Sequence, residues 1–126
     1  MLKSTGVKKI NIAVFISGTG TNFNNLIQYS FKKQSKFKIK LVVSNNLNAK
    51  GLEYAKKFKI KKKIINYKNL TNSEINILDY LHKENINIIC LAGFMRILTA
   101  NFIKKFKGKI TRAKIKVRLN AKINWS

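Results

Sequence analysis

Four short strand-like runs alternate with four helically spaced segments along this 126-residue chain, and that alternation restricts the fold more than any other feature. The runs are Ile10 to Ile16, Phe37 to Val43, Lys61 to Ile65 and Ile86 to Leu91. A strand, a helix and a second strand in sequence close as a crossover with parallel strands. The expected architecture is therefore α/β: a Rossmann-like, doubly wound parallel sheet of four strands. The first run is apolar almost without interruption, as in a strand covered on both faces, so it is expected at the centre with the fourth beside it. Asn22 is expected to cap the first helix, in which Phe23, Leu26, Ile27 and Phe31 recur at helical spacing. Ala49 to Phe58 forms the second, with Leu52, Ala55 and Phe58 on one face. Thr71 or Asn72 caps the third, which turns Ile75, Leu78 and Leu81 inward. Leu98 to Phe106 forms the fourth. The chain has no proline, so glycine and asparagine are expected to set its sharp turns.

Ligands of such sheets bind at the carboxyl ends of the strands, where the strand order reverses. Two segments fall there. The first is Ser17-Gly18-Thr19-Gly20-Thr21-Asn22, a small, glycine-rich turn between strand and helix. Glycines let the turn tighten so that backbone N–H groups and the positive helix end face an anion. A dinucleotide fingerprint would need a third glycine where Phe23 stands, and a triphosphate loop would need Gly-Lys-Ser or Gly-Lys-Thr. A monophosphate is the anion that remains favoured, against an ordinary turn. The second is Leu91-Ala92-Gly93-Phe94-Met95-Arg96-Ile97-Leu98. Its arginine could grip a carboxylate or phosphate, and Met95, Ile97 and Leu98 could line a pocket for a flat ring; read alone, the segment suits a helix start packed into the core at least as well.

The formal net charge is +23. A polyanion partner would explain it, but 24 of the 27 cationic residues are lysine. Arginine is the residue that forks onto phosphate and guanine, and the lysines are spread along the chain with many asparagines and isoleucines. Codon drift is the favoured explanation, and no specific nucleic acid is expected. Cys90, alone and in an apolar run, reads as a small hydrophobe in a reducing, cytoplasmic setting. His82 falls late on the third helix and reads as a surface residue. Glu53, Glu74, Asp79 and Glu84 lie on expected helices, and none is placed as half of a catalytic pair. No metal site and no membrane-spanning run is expected.

Taken together, the two segments resemble one family. Ile16-Ser17-Gly18-Thr19-Gly20-Thr21-Asn22-Phe23 is similar to the opening signature of the phosphoribosylglycinamide formyltransferases, and Leu91 to Leu98 to their Leu-Ala-Gly-Phe-Met-Arg-Ile-Leu signature. Val43-Ser44-Asn45-Asn46 and Ala49-Lys50-Gly51-Leu52 fit between. The resemblance runs from about Lys9 to about Ile110 and implies the N-terminal half of the formyltransferase fold. It implies that Gly20, Thr21 and Asn22 hold the phosphate of glycinamide ribonucleotide, and that Met95, Arg96, Ile97 and Leu98 contact 10-formyltetrahydrofolate around its pterin. The formyl group would pass to the glycinamide amine through a tetrahedral intermediate, a step of purine synthesis that needs proton transfer and oxyanion stabilisation.

The family's next strand carries Asn-x-His-Pro-Ser, whose asparagine and histidine are catalytic. Here the aligned positions hold Arg112 and Lys114, so no catalytic residue is assigned. A folate-contacting arginine of the family aligns near Ser73. Residues 1–110 are thus expected to form the phosphate-binding domain. Residues 111–126 are expected to form a basic tail outside the family pattern, an edge strand or disordered, read as out-of-frame sequence. Translating the other frames past codon 110 tests that. The expected function is formyl transfer by descent with impaired catalysis and marginal stability. The alternatives are a small-phosphate or ribonucleotide-binding module and a basic nucleic-acid-binding protein.

Overall fold

The structure is a computed structural model that describes residues 9–113. Five parallel strands form one sheet in the order β3-β2-β1-β4-β5. They are β1 (Ile10–Ile16), β2 (Phe37–Ser44), β3 (Lys61–Ile64), β4 (Ile88–Leu91) and β5 (Lys109–Arg112). The helices between them are α1 (Thr21–Ser30), α2 (Leu52–Lys57), α3 (Leu70–Lys83) and α4 (Ala100–Lys105), with a short 3-10 turn at Tyr67–Asn69 leading into α3. The chain builds outward from β1 to β3, then crosses back so that β4 lies on the other side of β1. The order therefore reverses between β1 and β4, where ligands of such sheets are held.

Alternation along β1 divides the core. Ile12, Val14 and Ile16 face α1 and α2, where they meet Phe23, Leu26, Ile27, Leu52 and Ala55. Ala13 and Phe15 face α3 and α4, where they meet Ile77, Leu81 and Phe102. The helices thus cover both faces, as doubly wound predicts. Phe15 is fully buried, with Phe94 edge-on at 5.4 Å and Phe102 at 6.3 Å. Such pairs add about 1 kcal/mol beyond area burial, and they tie the chain after β4 to the central strand.

The sheet has one strand more than the four expected. β5 reads as polar because Lys109 and Arg112 are exposed, yet its Ile110 pairs in register with Ile89. The expected edge strand beyond Thr111 is observed only as far as Arg112, and residues 114–126 lie outside the described residues. At the opposite edge, Lys61, Lys62 and Lys63 of β3 are exposed. Lysines along an open strand discourage pairing with another chain, which gives this run a structural role without a polyanion. Between β1 and β2 the register shifts at Ile12/Ala13, and Lys40 at the irregularity reaches Glu84 at 3.4 Å.

Several helix ends differ from expectation. Asn22 does not cap α1. The helix begins at Thr21, and the capping position is Gly20 in the left-handed region, with no side-chain hydrogen bond. Neither Thr71 nor Asn72 caps α3, because Asn66 accepts from the Lys68 N–H and starts the turn earlier. Thr99 caps α4 by accepting from the Phe102 N–H. Ile75 is not in the core but 57% exposed, while Glu74 takes the inward position at 6%. Phe31 is also exposed, its ring 5.6 Å from that of Phe58. Turns are not left to glycine and asparagine alone, since Lys59 ends α2 at φ 57° as Asn85 ends α3 at φ 56°.

Candidate active site

Gly20 sets the loop after β1. Its φ is +78°, and a Cβ there would lie 2.5 Å from the Gly51 Cα. Gly51 is tight in return, with the Ile16 Cδ1 2.7 Å from where its own Cβ would be. Only two glycines allow this approach. The contact is locked by the Gly51 N–H donating to the Gly18 carbonyl at 3.0 Å. The loop is thereby pressed against the start of α2 and turned so that α1 opens with no side-chain cap. The first N–H groups of a helix have no partner within it, so they remain for a ligand. Thr21 and Asn22 lie at that end, and the Thr19 and Thr21 hydroxyls are 3.4 Å apart.

The loop and the segment after β4 meet in one recess of about 400 Å³, lined by Ser17 to Asn22 with Ala92, Gly93 and Met95. The two expected segments are thus brought together at the reversal of strand order. A second recess of about 460 Å³ shares Thr19 and Thr21 and is completed by Lys50, Glu53 and Tyr54 of the α2 region.

Met95 to Thr99 has no regular secondary structure and is held from outside at three points. The Met95 N–H donates to the Ser17 Oγ at 2.7 Å. The Ile97 carbonyl accepts from the Tyr67 hydroxyl at 3.0 Å. Glu74 accepts from the Thr99 N–H at 3.2 Å and from its hydroxyl at 2.7 Å. With the backbone so pinned, the Met95 and Ile97 side chains stand 79% and 84% exposed, while Phe94 and Leu98 enter the core. The segment is therefore not simply a packed helix start. Of the four residues expected at the pterin, Leu98 can offer only its backbone to a ligand. Arg96 is exposed and stacks over the Tyr67 ring at 4.1 Å. Burial raises the pKa of Tyr67 above its ordinary value, against the pull of the Arg96 guanidinium, with a smaller upward push from the Glu74 carboxylate. The phenol keeps the proton it donates to Ile97.

The remaining candidates lie apart. Ser73 accepts from the Asn66 N–H. His82 is exposed and stacks on Phe106, near the amino ends of the strands and opposite the recess. Cys90 is buried, and burial pushes its thiol up to about 12, which makes it a core residue and a poor nucleophile. Arg112 ends β5, exposed, in register with Leu91; Lys114 lies outside the described residues. Among the described residues, no three His, Cys, Asp or Glu side chains are grouped to hold a metal, and no helix is long and apolar enough to cross a membrane. The tethers Ser17, Tyr67 and Glu74 escape sequence reasoning, because each joins residues 25 to 78 positions apart.

The model of the formyl transferase family matches residues 10–112, and the chain belongs to that family. Within it, the chain is similar to phosphoribosylglycinamide formyltransferases. It is 40% identical to that of Haemophilus influenzae over 102 residues, covering 79% of this chain and 48% of the relative. It is 41% identical over 106 residues to the trifunctional purine biosynthetic protein adenosine-3 of Homo sapiens, covering 82% of this chain and 10% of that protein. The crystal structure of phosphoribosylglycinamide formyltransferase from Brucella melitensis matches with a TM-score of 0.75 at 33% identity, over 82% of this chain and 55% of that one. The chain thus spans about half the length of these single-activity relatives and a tenth of the trifunctional protein.

Proposed function

We propose that this chain is the substrate-holding part of a glycinamide ribonucleotide formyltransferase of purine synthesis, acting in the cytoplasm. The observation that carries the reading is the single recess shared by Ser17–Asn22 and Ala92–Met95 at the strand-order reversal. Gly20, Thr21 and Asn22 would receive the phosphate of glycinamide ribonucleotide through backbone N–H and side-chain donors. Met95, Arg96, Ile97 and Leu98 would receive the pterin of 10-formyltetrahydrofolate along a pinned backbone with apolar side chains turned outward.

In the reaction, the glycinamide nitrogen attacks the formyl carbon and a C–N bond forms. The carbonyl oxygen carries negative charge in the tetrahedral intermediate, the nitrogen loses a proton, and the bond to the folate nitrogen breaks as that nitrogen is protonated. A group near neutral pKa usually moves such protons and contributes about 10²–10⁴-fold. Arg112 stands where the family places its asparagine and Lys114 where it places its histidine. An ammonium at Lys114, like the guanidinium of Arg112, offers only donors and cannot accept that proton. The reading is therefore substrate binding with slow transfer.

Calorimetric titration of the chain with glycinamide ribonucleotide tests it. Binding is expected, weakened about tenfold or more in Asn22→Ala through the loss of a hydrogen bond to a charged group. Formyl transfer by the chain alone is expected about 10²-fold or more below that of a relative carrying the histidine. Absence of ribonucleotide binding would remove the reading. Transfer at the relative's rate would remove the part that concerns Arg112 and Lys114.

A further inference from the structure

We propose that Ser17 is a positioning residue that couples the phosphate loop to the Met95–Leu98 segment, so that an anion in the loop adjusts the backbone on which the second substrate lies. This rests on the reading of those two segments given above.

A serine hydroxyl has one proton and two lone pairs. Here the proton goes to the Asn45 Oδ1 at 2.5 Å, a separation that fits O–H···O and is too short for an amide N–H donor. A lone pair accepts the Met95 N–H at 2.7 Å. What remains can only accept, so Ser17 has nothing to donate to a phosphate although it lines the recess. Its sequence position groups it with the anion-binding loop; its hydrogen bonds give it different work.

Those bonds join three strand ends. Ser17 follows β1, Asn45 follows β2, and Met95 lies four residues beyond the end of β4. Asn45 fixes the hydroxyl rotor, and the rotor fixes Met95. The neighbouring Gly18 carbonyl is held by the Gly51 N–H, so Ser17 sits between a clamped loop and the near end of a segment whose far end Tyr67 and Glu74 hold. The Met95 side chain is 79% exposed and anchors nothing. The other two tethers, Tyr67 and Glu74, come from the β3–α3 region and are not part of the loop. Ser17 is thus the direct link between the loop and the backbone of the segment, and a shift of the loop around an anion passes through it.

The test follows backbone amide signals and hydrogen exchange of the full 126-residue chain by NMR, with inorganic phosphate as the probe. In the unaltered chain, phosphate is expected to shift the Thr21 and Asn22 amides and also the Met95 amide, and to slow Met95 exchange. In Ser17→Ala, Thr21 and Asn22 still respond, Met95 exchanges about tenfold faster for want of its acceptor, and its response to phosphate is lost. Ser17→Thr, which keeps the hydroxyl, restores the response. Asn45→Ala frees only the rotor and is expected to shrink the Met95 response about twofold or more. That variant decides the matter where Ser17→Ala fails to fold. A Met95 response equal in the unaltered chain and the variants overturns the coupling, as does a loop response with Met95 silent. Silence at Thr21 and Asn22 instead removes the phosphate reading, and the coupling with it.

Discussion

The loop from Ser17 to Asn22 and the segment from Met95 to Thr99 lead from neighbouring strands and meet at the recess through Met95, yet they are held in opposite ways. The loop is shaped by backbone against backbone, with Gly20 at φ +78° lying on Gly51 and the Gly18 carbonyl bonded to the Gly51 N–H. The segment is held by side chains of other elements, namely Ser17, Tyr67 and Glu74. A surface that must present N–H groups to an anion cannot cover them, so its own backbone has to carry the shape. A surface that presents apolar side chains can be gripped through its carbonyls and amides from behind. The first arrangement is intolerant of an added atom at Gly20 or Gly51, though not at Gly18, whereas the second should lose its order one tether at a time.

The largest break in this contrast is expected from Gly20→Ala. The new Cβ would meet the Gly51 Cα at 2.5 Å in a conformation L-residues rarely adopt. A loss of about 3 kcal/mol in urea unfolding is expected, together with loss of phosphate binding. Glu74→Ala should come next, at about 2 kcal/mol, since a buried carboxylate that accepts twice from Thr99 is removed. Glu74→Gln should recover part of that. A cost in Glu74→Ala no larger than in Tyr67→Phe would show that α3 does not hold the segment. Tyr67→Phe is expected to cost about 1 kcal/mol, because it loses the bond to Ile97 but keeps the ring under Arg96.

The same tether can be opened by pH. Tyr67 holds its proton more tightly in the folded chain than its ordinary value of 10.0. Its contribution is therefore complete below about pH 10 and is lost as the pH rises through the raised value. Stability of the unaltered chain should fall toward that of Tyr67→Phe over this range. The smallest effect is expected at Cys90, buried in β4 on the α1 and α2 side of the sheet with its thiol pushed up to about 12. A thiol reagent at pH 8 should react only as the chain unfolds, faster in Gly20→Ala and scarcely faster in Tyr67→Phe. Rapid reaction in the unaltered chain would show that β4 is not sealed.

The parts that were legible from sequence share a physical reason. β1 and β2 are covered on both faces, so their apolar runs mark them. The glycine loop declares itself because only glycine fits at Gly20. β5 did not, since an edge strand of four residues with two exposed cations looks like a tail. In α3, Leu78 and Leu81 face the core as expected, but Ile75 does not, because the inward position before it is polar, filled by the Glu74 carboxylate whose partner at Thr99 lies 25 residues away. The cap at Gly20 was missed for a related reason: the turn is set by contact with Gly51, and Asn22 merely has the composition of a cap. In the site, the tight glycine turn could be read locally, whereas the tethers behind Met95 to Thr99 depend on which strand ends the fold brings together.

The exposed Met95 side chain has a consequence for the chemical durability of the recess. Its thioether stands 79% open to solvent, so a peroxide reaches it without any unfolding. Oxidation to the sulfoxide replaces an apolar surface with a polar, chiral one. Because the core takes little from this side chain, the fold should survive while the rim changes character. The rim of the recess at Met95 would then age under oxidative stress ahead of the glycine loop. Enzymatic reduction of the sulfoxide would renew it without replacement of the chain.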